Sequence, residues 1–347
     1  MHRRTFLAGA AGMGLSGLAA GAVYGAIPPL KSVVPYPLGV AAKRAQFDDP
    51  AWTSLAAANF SRLTAEWEMK MEYLLQPDGS LQFDRADAIV DFARRHGMAV
   101  HGHTLIWYAE DGAYFQTLKG KPDAFLAAYA GYISAVMKRY AGAVGGWDVV
   151  NEPVWNDGHD LRPCLWRDVL GDDYIGLALE AAHEADPGAI LFMNDYNLES
   201  TPAKRARFLK LCEAVLKKGA PLHGIGTQTH IDADLAPGAI TAALRDIASL
   251  GLQVHVSEVD ISLRVKSMGD IAQPRLNQIR LLAELVGAYH DIPPAQRYGM
   301  TFWGLRDSDS WLNGKDNRTL VPDEPLLFDG AGRPKPLAQA FVRAEGG

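Results

Sequence analysis

From Pro37 onward, short apolar runs alternate with longer amphipathic ones, the rhythm of strand–helix units wound around a parallel sheet. The short runs predict eight strands, over Pro37–Ala41, Asn59–Thr64, Ala99–Trp107, Gly146–Glu152, Ala189–Tyr196, Gly224–His230, Gln253–Ile261 and Gly299–Leu305. The longer stretches predict helices over Arg85–His96, Pro122–Tyr140, Tyr174–Ala185, Pro202–Lys218, Ala236–Ser249 and Pro274–Tyr289. Eight strands with intervening helices argue for an α/β fold, a single closed (β/α)8 TIM barrel. An open doubly wound sheet is the competing architecture, but no Gly-rich phosphate loop follows the first strand. No linker, composition shift or repeat divides the chain after its first thirty residues, so 31–347 reads as one domain.

The fourth predicted strand carries the chain's most informative stretch, Gly146-Trp147-Asp148-Val149-Val150-Asn151-Glu152-Pro153. Val149 and Val150 favour a short buried strand, and Pro153, lacking an N–H, ends it. An amide and an acid therefore stand together at the mouth of a buried strand, where a carboxyl is costly unless paired or used. A second run of the same design, Val254-His255-Val256-Ser257-Glu258-Val259-Asp260, follows about a hundred residues later.

Composition narrows the partners. The 347 residues are 48% hydrophobic, enough for a large core, and the formal charge of −6 is spread over 40 acidic and 34 basic side chains. No basic stripe or aromatic-interleaved Lys/Arg cluster appears, which argues against nucleic acid and suits a neutral substrate. Arg3-Arg4-Thr5-Phe6-Leu7 precedes an uncharged Ala/Gly-rich run to Leu30, with Ala20-Gly21-Ala22 as a small-residue cleavage site. Residues 1–30 resemble a twin-arginine export signal, implying a periplasmic or secreted product with no stable membrane partner after cleavage. An uncleaved anchor is the alternative, and the run's glycines lower its hydrophobicity. Cys164 and Cys212 lack metal or redox spacing, and Cys212 is expected to be a buried free thiol.

If the barrel closes, Glu66, Lys70, His103, Trp107, Glu152, Tyr196, Gln228, His230, Glu258 and Trp303 fall at or just past the C-terminal ends of different strands. A barrel gathers those ends on the face where catalytic groups sit. Two carboxylates facing a pocket with aromatic and amide neighbours suit glycosidic bond cleavage, with or without a covalent intermediate according to their separation.

These stretches together resemble glycoside hydrolase family 10, the retaining endo-β-1,4-xylanases, over nearly the whole mature chain. The likeness rests on Thr64–Lys70, Gly102–Trp107, Trp147–Glu152, Asn194–Asn197, Gly224–His230, Ser257–Asp260, and Thr301–Gly304 with Ser310-Trp311. The resemblance implies Glu152 as acid/base, Glu258 as nucleophile, and His230 bonded to Glu258 with Asp260 fixing the imidazole. It implies sugar contacts from Glu66, Lys70, His103, Trp107, Asn151, Tyr196, Gln228, Trp303 and Trp311, no cofactor or metal, and a monomer acting on xylan or xylo-oligosaccharides.

Two positions depart from the family pattern. Trp67 stands where an asparagine is usual and Tyr108 where a histidine is usual, both expected at the non-reducing end of the groove. They predict an altered preference for backbone or chain length, toward short xylo-oligosaccharides. Asn-Glu-Pro alone also fits related barrel glycosidases acting on glucan or mannan. Two other classes compete: a metal-dependent hydrolase using His101-Gly102-His103, His230 and Asp260, and a non-catalytic carbohydrate-binding barrel. A structural imidazole pair explains the former better, and two acids with their Asn and His partners argue against the latter.

Overall fold

A computed structural model of the chain describes residues 26–264, 271–314 and 322–346. Nine strands form it: β1 (Leu38–Ala42), β2 (Arg62–Ala65), β3 (Ala99–Trp107), β4 (Gly146–Asn151), β5 (Ile190–Asp195), β6 (Gly224–Thr227), β7 (His230–Asp232), β8 (Gln253–Ser262) and β9 (Arg297–Phe302). All neighbours pair in parallel, β9 returns to β1, and β6 pairs with β8, which closes an eight-stranded barrel with short β7 laid beside the end of β8. Closure leaves the eight barrel strands no free edge, and every residue of β1, β2, β4 and β6 is buried, as a sheet covered on both faces requires.

The outer helices are α1 (Pro50–Asn59), α2 (Asp84–Arg95), α3 (Pro122–Tyr140), α4 (Leu165–Leu170), α5 (Tyr174–Ala185), α6 (Pro202–Lys217), α7 (Ala239–Ala248), α8 (Ala272–His290) and α9 (Pro336–Glu345). Proline occupies the first turn of α1, α3, α6 and α9, where its missing N–H costs nothing and its fixed φ suits the helix. The predicted second strand loses Asn59 to α1: the Asp49 carboxylate caps that helix through the Ala51 N–H (2.9 Å), and the helix runs on until Phe60 turns extended. The predicted sixth strand breaks after Thr227. Thr229 adopts φ +59°, its hydroxyl donating to Glu199 Oε1 (2.7 Å), and the chain then resumes as β7 against β8. This break re-aims His230.

Residues 26–30 apart, the expected export signal lies outside the described residues. Leu30 is already part of the core, its N–H bonded to Asn59 Oδ1 (3.2 Å). Among the described residues no helix is long and apolar enough to cross a membrane. Cys212 is fully buried and Cys164 nearly so, both as free thiols.

Candidate active site

Strand ends deliver the two acids. β4 stops at Asn151, and Glu152 follows in the left-handed region (φ 56°), its N–H bonded to the Asn194 carbonyl (2.7 Å). Such a conformation is costly for a non-glycine residue and persists only where the surroundings hold it. Glu258 lies within β8 where the register against β9 slips between Val256 and Val259, a bulge that turns its side chain to the rim. The two carboxylates line one cavity of about 900 Å³. All thirteen site residues expected from the sequence line it as well: Glu66, Lys70, His103, Trp107, Asn151, Glu152, Tyr196, Gln228, His230, Glu258, Asp260, Trp303 and Trp311.

A chain of amides joins the acids. Ser257 Oγ donates to Asn194 Oδ1 (2.7 Å), which fixes the amide so that its Nδ2 donates both to Glu258 Oε1 (2.8 Å) and to Asn151 Oδ1 (2.9 Å). From the other side Gln228 Nε2 donates to Glu152 Oε1 (3.0 Å) and reaches Asn151 Oδ1 (3.4 Å). Asn151 Nδ2, 3.3 Å from Glu152 Oε1, is the remaining donor and faces the cavity between the acids. Gly226 makes this possible, since a Cβ there would lie 2.2 Å from Asn194 Oδ1. The sequence singled out Asn151 and Gln228 but not Asn194 as a site residue. Only the β4–β5 register, which sets Asn194 opposite Asn151, reveals it.

Glu258 is built to stay charged. Its Oε2 accepts from His230 Nε2 (3.2 Å), while His230 Nδ1 lies 2.9 Å from Asp260 Oδ2. The second contact is an ion pair. Burial alone would lower the His230 pKa, but Asp260 and then Glu258 override it and raise it to about 10. Burial likewise pushes Glu258 up, and His103 and the His230 imidazolium outweigh it, holding the carboxyl below its ordinary value. Trp311 Nε1 completes the relay by donating to Asp260 Oδ2 (2.8 Å). Removing the imidazolium by His230→Ala takes away a charge that holds the Glu258 carboxyl down, so Glu258 protonates at higher pH. The acidic limb of kcat/KM against pH is expected to move to higher pH, and an unmoved limb would remove His230 from this role.

At the far end Glu66 pairs with Lys43 (3.0 Å), and the Lys70 ammonium sits 4.7 Å from the ring centres of both Trp67 and Trp107. Trp67 is part of the cavity wall, not rotated into the core. Tyr108 lines the same cavity: its ring lies 5.8 Å from that of Trp107 and stacks on the Arg162 guanidinium (4.1 Å), beside Glu152 and Tyr196. Trp303 packs edge-on to His103 (5.3 Å), and Trp311 remains 48% exposed.

Beneath the site, Asp148 Oδ2 accepts from His103 Nδ1 (2.8 Å) and lies 3.1 Å from His101 Nε2. Burial opposes its ionisation, yet the two imidazoles hold its carboxyl well below the carboxylate range. His101, Asp148 and His255 offer ligand-type atoms within 4.8 Å of one another. One polar atom of each is engaged, His101 Nδ1 with Tyr298 OH (3.1 Å), Asp148 Oδ2 with His103 and His255 Nε2 with Thr301 Oγ1 (2.9 Å), while His101 Nε2, Asp148 Oδ1 and His255 Nδ1 make no hydrogen bond. Burial lowers the pKa of both imidazoles, the nearby Arg62 charge lowers it further, and that charge repels an additional cation.

An acid pair held across a cleft of amides and aromatic rings, on the C-terminal rim of a (β/α)8 barrel, defines a glycoside hydrolase. The model of glycosyl hydrolase family 10 matches residues 31–344, and the chain belongs to that family. It is 36% identical over 335 residues to endo-1,4-beta-xylanase A of Thermoanaerobacterium saccharolyticum (91% of this chain, 28% of the relative). To exoglucanase XynX of Acetivibrio thermocellus it is 35% identical over 335 residues (91% and 29%). The chain thus spans under a third of those two proteins. Against the endo-1,4-beta-xylanase of Geobacillus stearothermophilus identity is 36% over 332 residues, covering 89% of this chain and 96% of the relative. The crystal structure of xylanase XynB from Paenibacillus barcinonensis, complexed with a conduramine derivative, superposes with TM-score 0.84 at 30% identity, over 91% and 98% of the chains.

Proposed function

We propose that this protein is a retaining endo-1,4-β-xylanase that cleaves internal β-1,4 bonds of xylan by double displacement. The observation that carries the reading is the pairing of an ionised, buried Glu258 with Glu152 through Asn151, Asn194 and Gln228 in one open cavity. Glu152 gives its proton to the leaving oxygen while Glu258 attacks the anomeric carbon, forming a glycosyl ester on Glu258. Loss of the Glu258 charge then leaves Glu152 free to take a proton from the incoming water, which releases the sugar with its original configuration. The Asn151 amide, set between the acids, donates to the 2-hydroxyl of the reacting sugar, a bond that strengthens as positive charge builds at the anomeric carbon. The full-length family-10 relatives named xylanases support xylan as substrate. Export by the twin-arginine route is part of the same proposal.

A second reading, preference for short xylo-oligosaccharides, draws on Trp67 standing in the cavity wall against Lys70. One experiment separates the possibilities: parallel digests of xylan, cellulose, mannan and xylo-oligosaccharides, with products sized and their initial anomer followed by proton NMR. Rapid loss of xylan length with β-anomer products is expected. Initial α-anomer would overturn retention, and faster cleavage of cellulose or mannan would overturn the xylan assignment.

A further inference from the structure

Four large apolar side chains are exposed among the described residues, and two of them, Trp155 (43%) and Trp311 (48%), stand on the barrel face that carries the acids. Trp311 belongs to the cavity and is tied to Asp260. Trp155 has no part in the mechanism above, yet it is firmly held. It sits in a closed loop in which Val154 bridges Leu161, its own N–H donates to the Asp160 carbonyl (3.0 Å), and its carbonyl accepts from Gly158 N–H (2.9 Å). Gly158 presses directly on the backbone of Ala203 and Lys204, where any Cβ would clash (2.6 Å).

Arg162 ties this loop to the site. Its buried guanidinium donates to the Glu152 carbonyl (3.1 Å), the Val154 carbonyl (3.2 Å), Asn156 Oδ1 (3.0 Å) and Tyr196 OH (2.9 Å). The same group lies 4.1 Å from the Tyr108 ring centre, 5.2 Å from that of Trp155 and 5.6 Å from that of Tyr196. Tyr108 and Tyr196 are cavity wall, so Trp155 stands just beyond the wall, one guanidinium away from it. Three rings around one cation form a rigid aromatic rim whose outermost member meets solvent. The contact with Arg162 and the closed loop hold the indole in place at the edge of a polar cleft while leaving it 43% exposed, so its position is set before any flat, apolar-faced ligand arrives.

We propose that Trp155 is a sugar-stacking platform for the leaving-group side of the bound chain, extending the groove beyond Tyr196. The occupant is a β-1,4-linked xylose unit downstream of the cleaved bond, and the assignment rests on the xylanase reading above. The side follows from position. Glu152 protonates the oxygen that joins the leaving chain, and Trp155 lies three residues beyond Glu152, in the loop that Arg162 fastens to the Glu152 carbonyl. Glu66, Lys70 and Trp67 are gathered at the other end, on the segment following β2. A pyranose lays its C–H face on such a ring while its hydroxyls stay in water.

The test measures kcat/KM of the full-length wild type, Trp155→Ala and Trp155→Phe on xylohexaose and on an aryl β-xylobioside, whose leaving group is too short to reach Trp155. Trp155→Ala is expected to lower the hexaose-to-aryl ratio by about three- to tenfold, and to move the preferred cleavage bond toward the reducing end. Trp155→Phe is expected to restore most of the ratio. An unchanged ratio, including an equal loss on both substrates, overturns the platform and leaves the loop a structural one. Failure of the wild type on both substrates would instead refute the xylanase reading on which the platform depends.

Discussion

Glu258→Ala is expected to lower kcat/KM on xylan by about ten-thousandfold or more, while the protein stays folded and still binds xylo-oligosaccharides. In the proposed mechanism the carboxylate supplies the bond to the anomeric carbon, and the other acids of the cavity wall are committed elsewhere: Asp260 to His230 and Trp311, Glu66 to Lys43, Asp232 to Arg264, Asp323 to the Leu263 N–H, and Glu152 to the leaving oxygen. Substrate binding draws on other groups, so KM on oligosaccharides should change far less than kcat, the pattern of an interaction made in the transition state. The vacated space is bounded by donors that once served an anion, Asn194 Nδ2 and His230 Nε2. A small nucleophile such as azide should enter it and attack an activated aryl xylobioside from the same face, giving a glycosyl azide of inverted configuration. Steady-state kinetics and NMR of the azide product check both parts. A variant retaining a tenth of wild-type activity on xylan would show that Glu258 is not the nucleophile.

Much of this site was legible because a parallel barrel turns sequence order into position. An apolar run that ends in a polar residue must expose that residue at the strand's C-terminal rim, and ten of the thirteen expected residues met there for that reason, while Asn151, Asp260 and Trp311 rested on the family resemblance. What escaped the sequence depended on contacts between strands. Asn194 looks like one polar residue among several until the register sets it opposite Asn151. The turn at Thr229 is imposed by Glu199, thirty residues earlier, and a β-branched residue gives no local hint of a left-handed conformation. Tyr108 was expected at the same end of the groove as Trp67; it follows β3 in a turn with its ring edge-on to Trp107 (5.8 Å), so Trp107 meets Lys70 while Tyr108 also reaches Arg162, a contact no local pattern announces. Arg162 itself carries no periodic signal, because a loop arginine that binds three carbonyl or amide oxygens and a phenol reads in sequence as an ordinary surface charge.

Glu152→Ala should divide substrates by their leaving groups. Xylan must expel a sugar alkoxide, so losing the proton donor is expected to lower its hydrolysis by about a thousand- to ten-thousandfold. An aryl xylobioside with an acidic phenol needs no such help, and Glu258 still attacks it, supported by His230 and Asn194 as before. Its first step should proceed near the wild-type rate. The second step then stalls, since no group remains to take a proton from water, and the glycosyl ester on Glu258 accumulates. The expected record is a burst of phenol close to one equivalent per enzyme, followed by a slow steady state in which both kcat and KM are reduced. Azide relieves the stall by attacking the ester without base assistance, and its product keeps the configuration of the substrate, opposite to that expected from Glu258→Ala. If Glu152→Ala slowed xylan and the activated aryl substrate by the same factor, with no burst, the proton would have to come from another group. Gln228 and Asn151, which bond Glu152 in the wild type, cannot supply it, since a neutral carboxamide is far too weak an acid to protonate a leaving alkoxide.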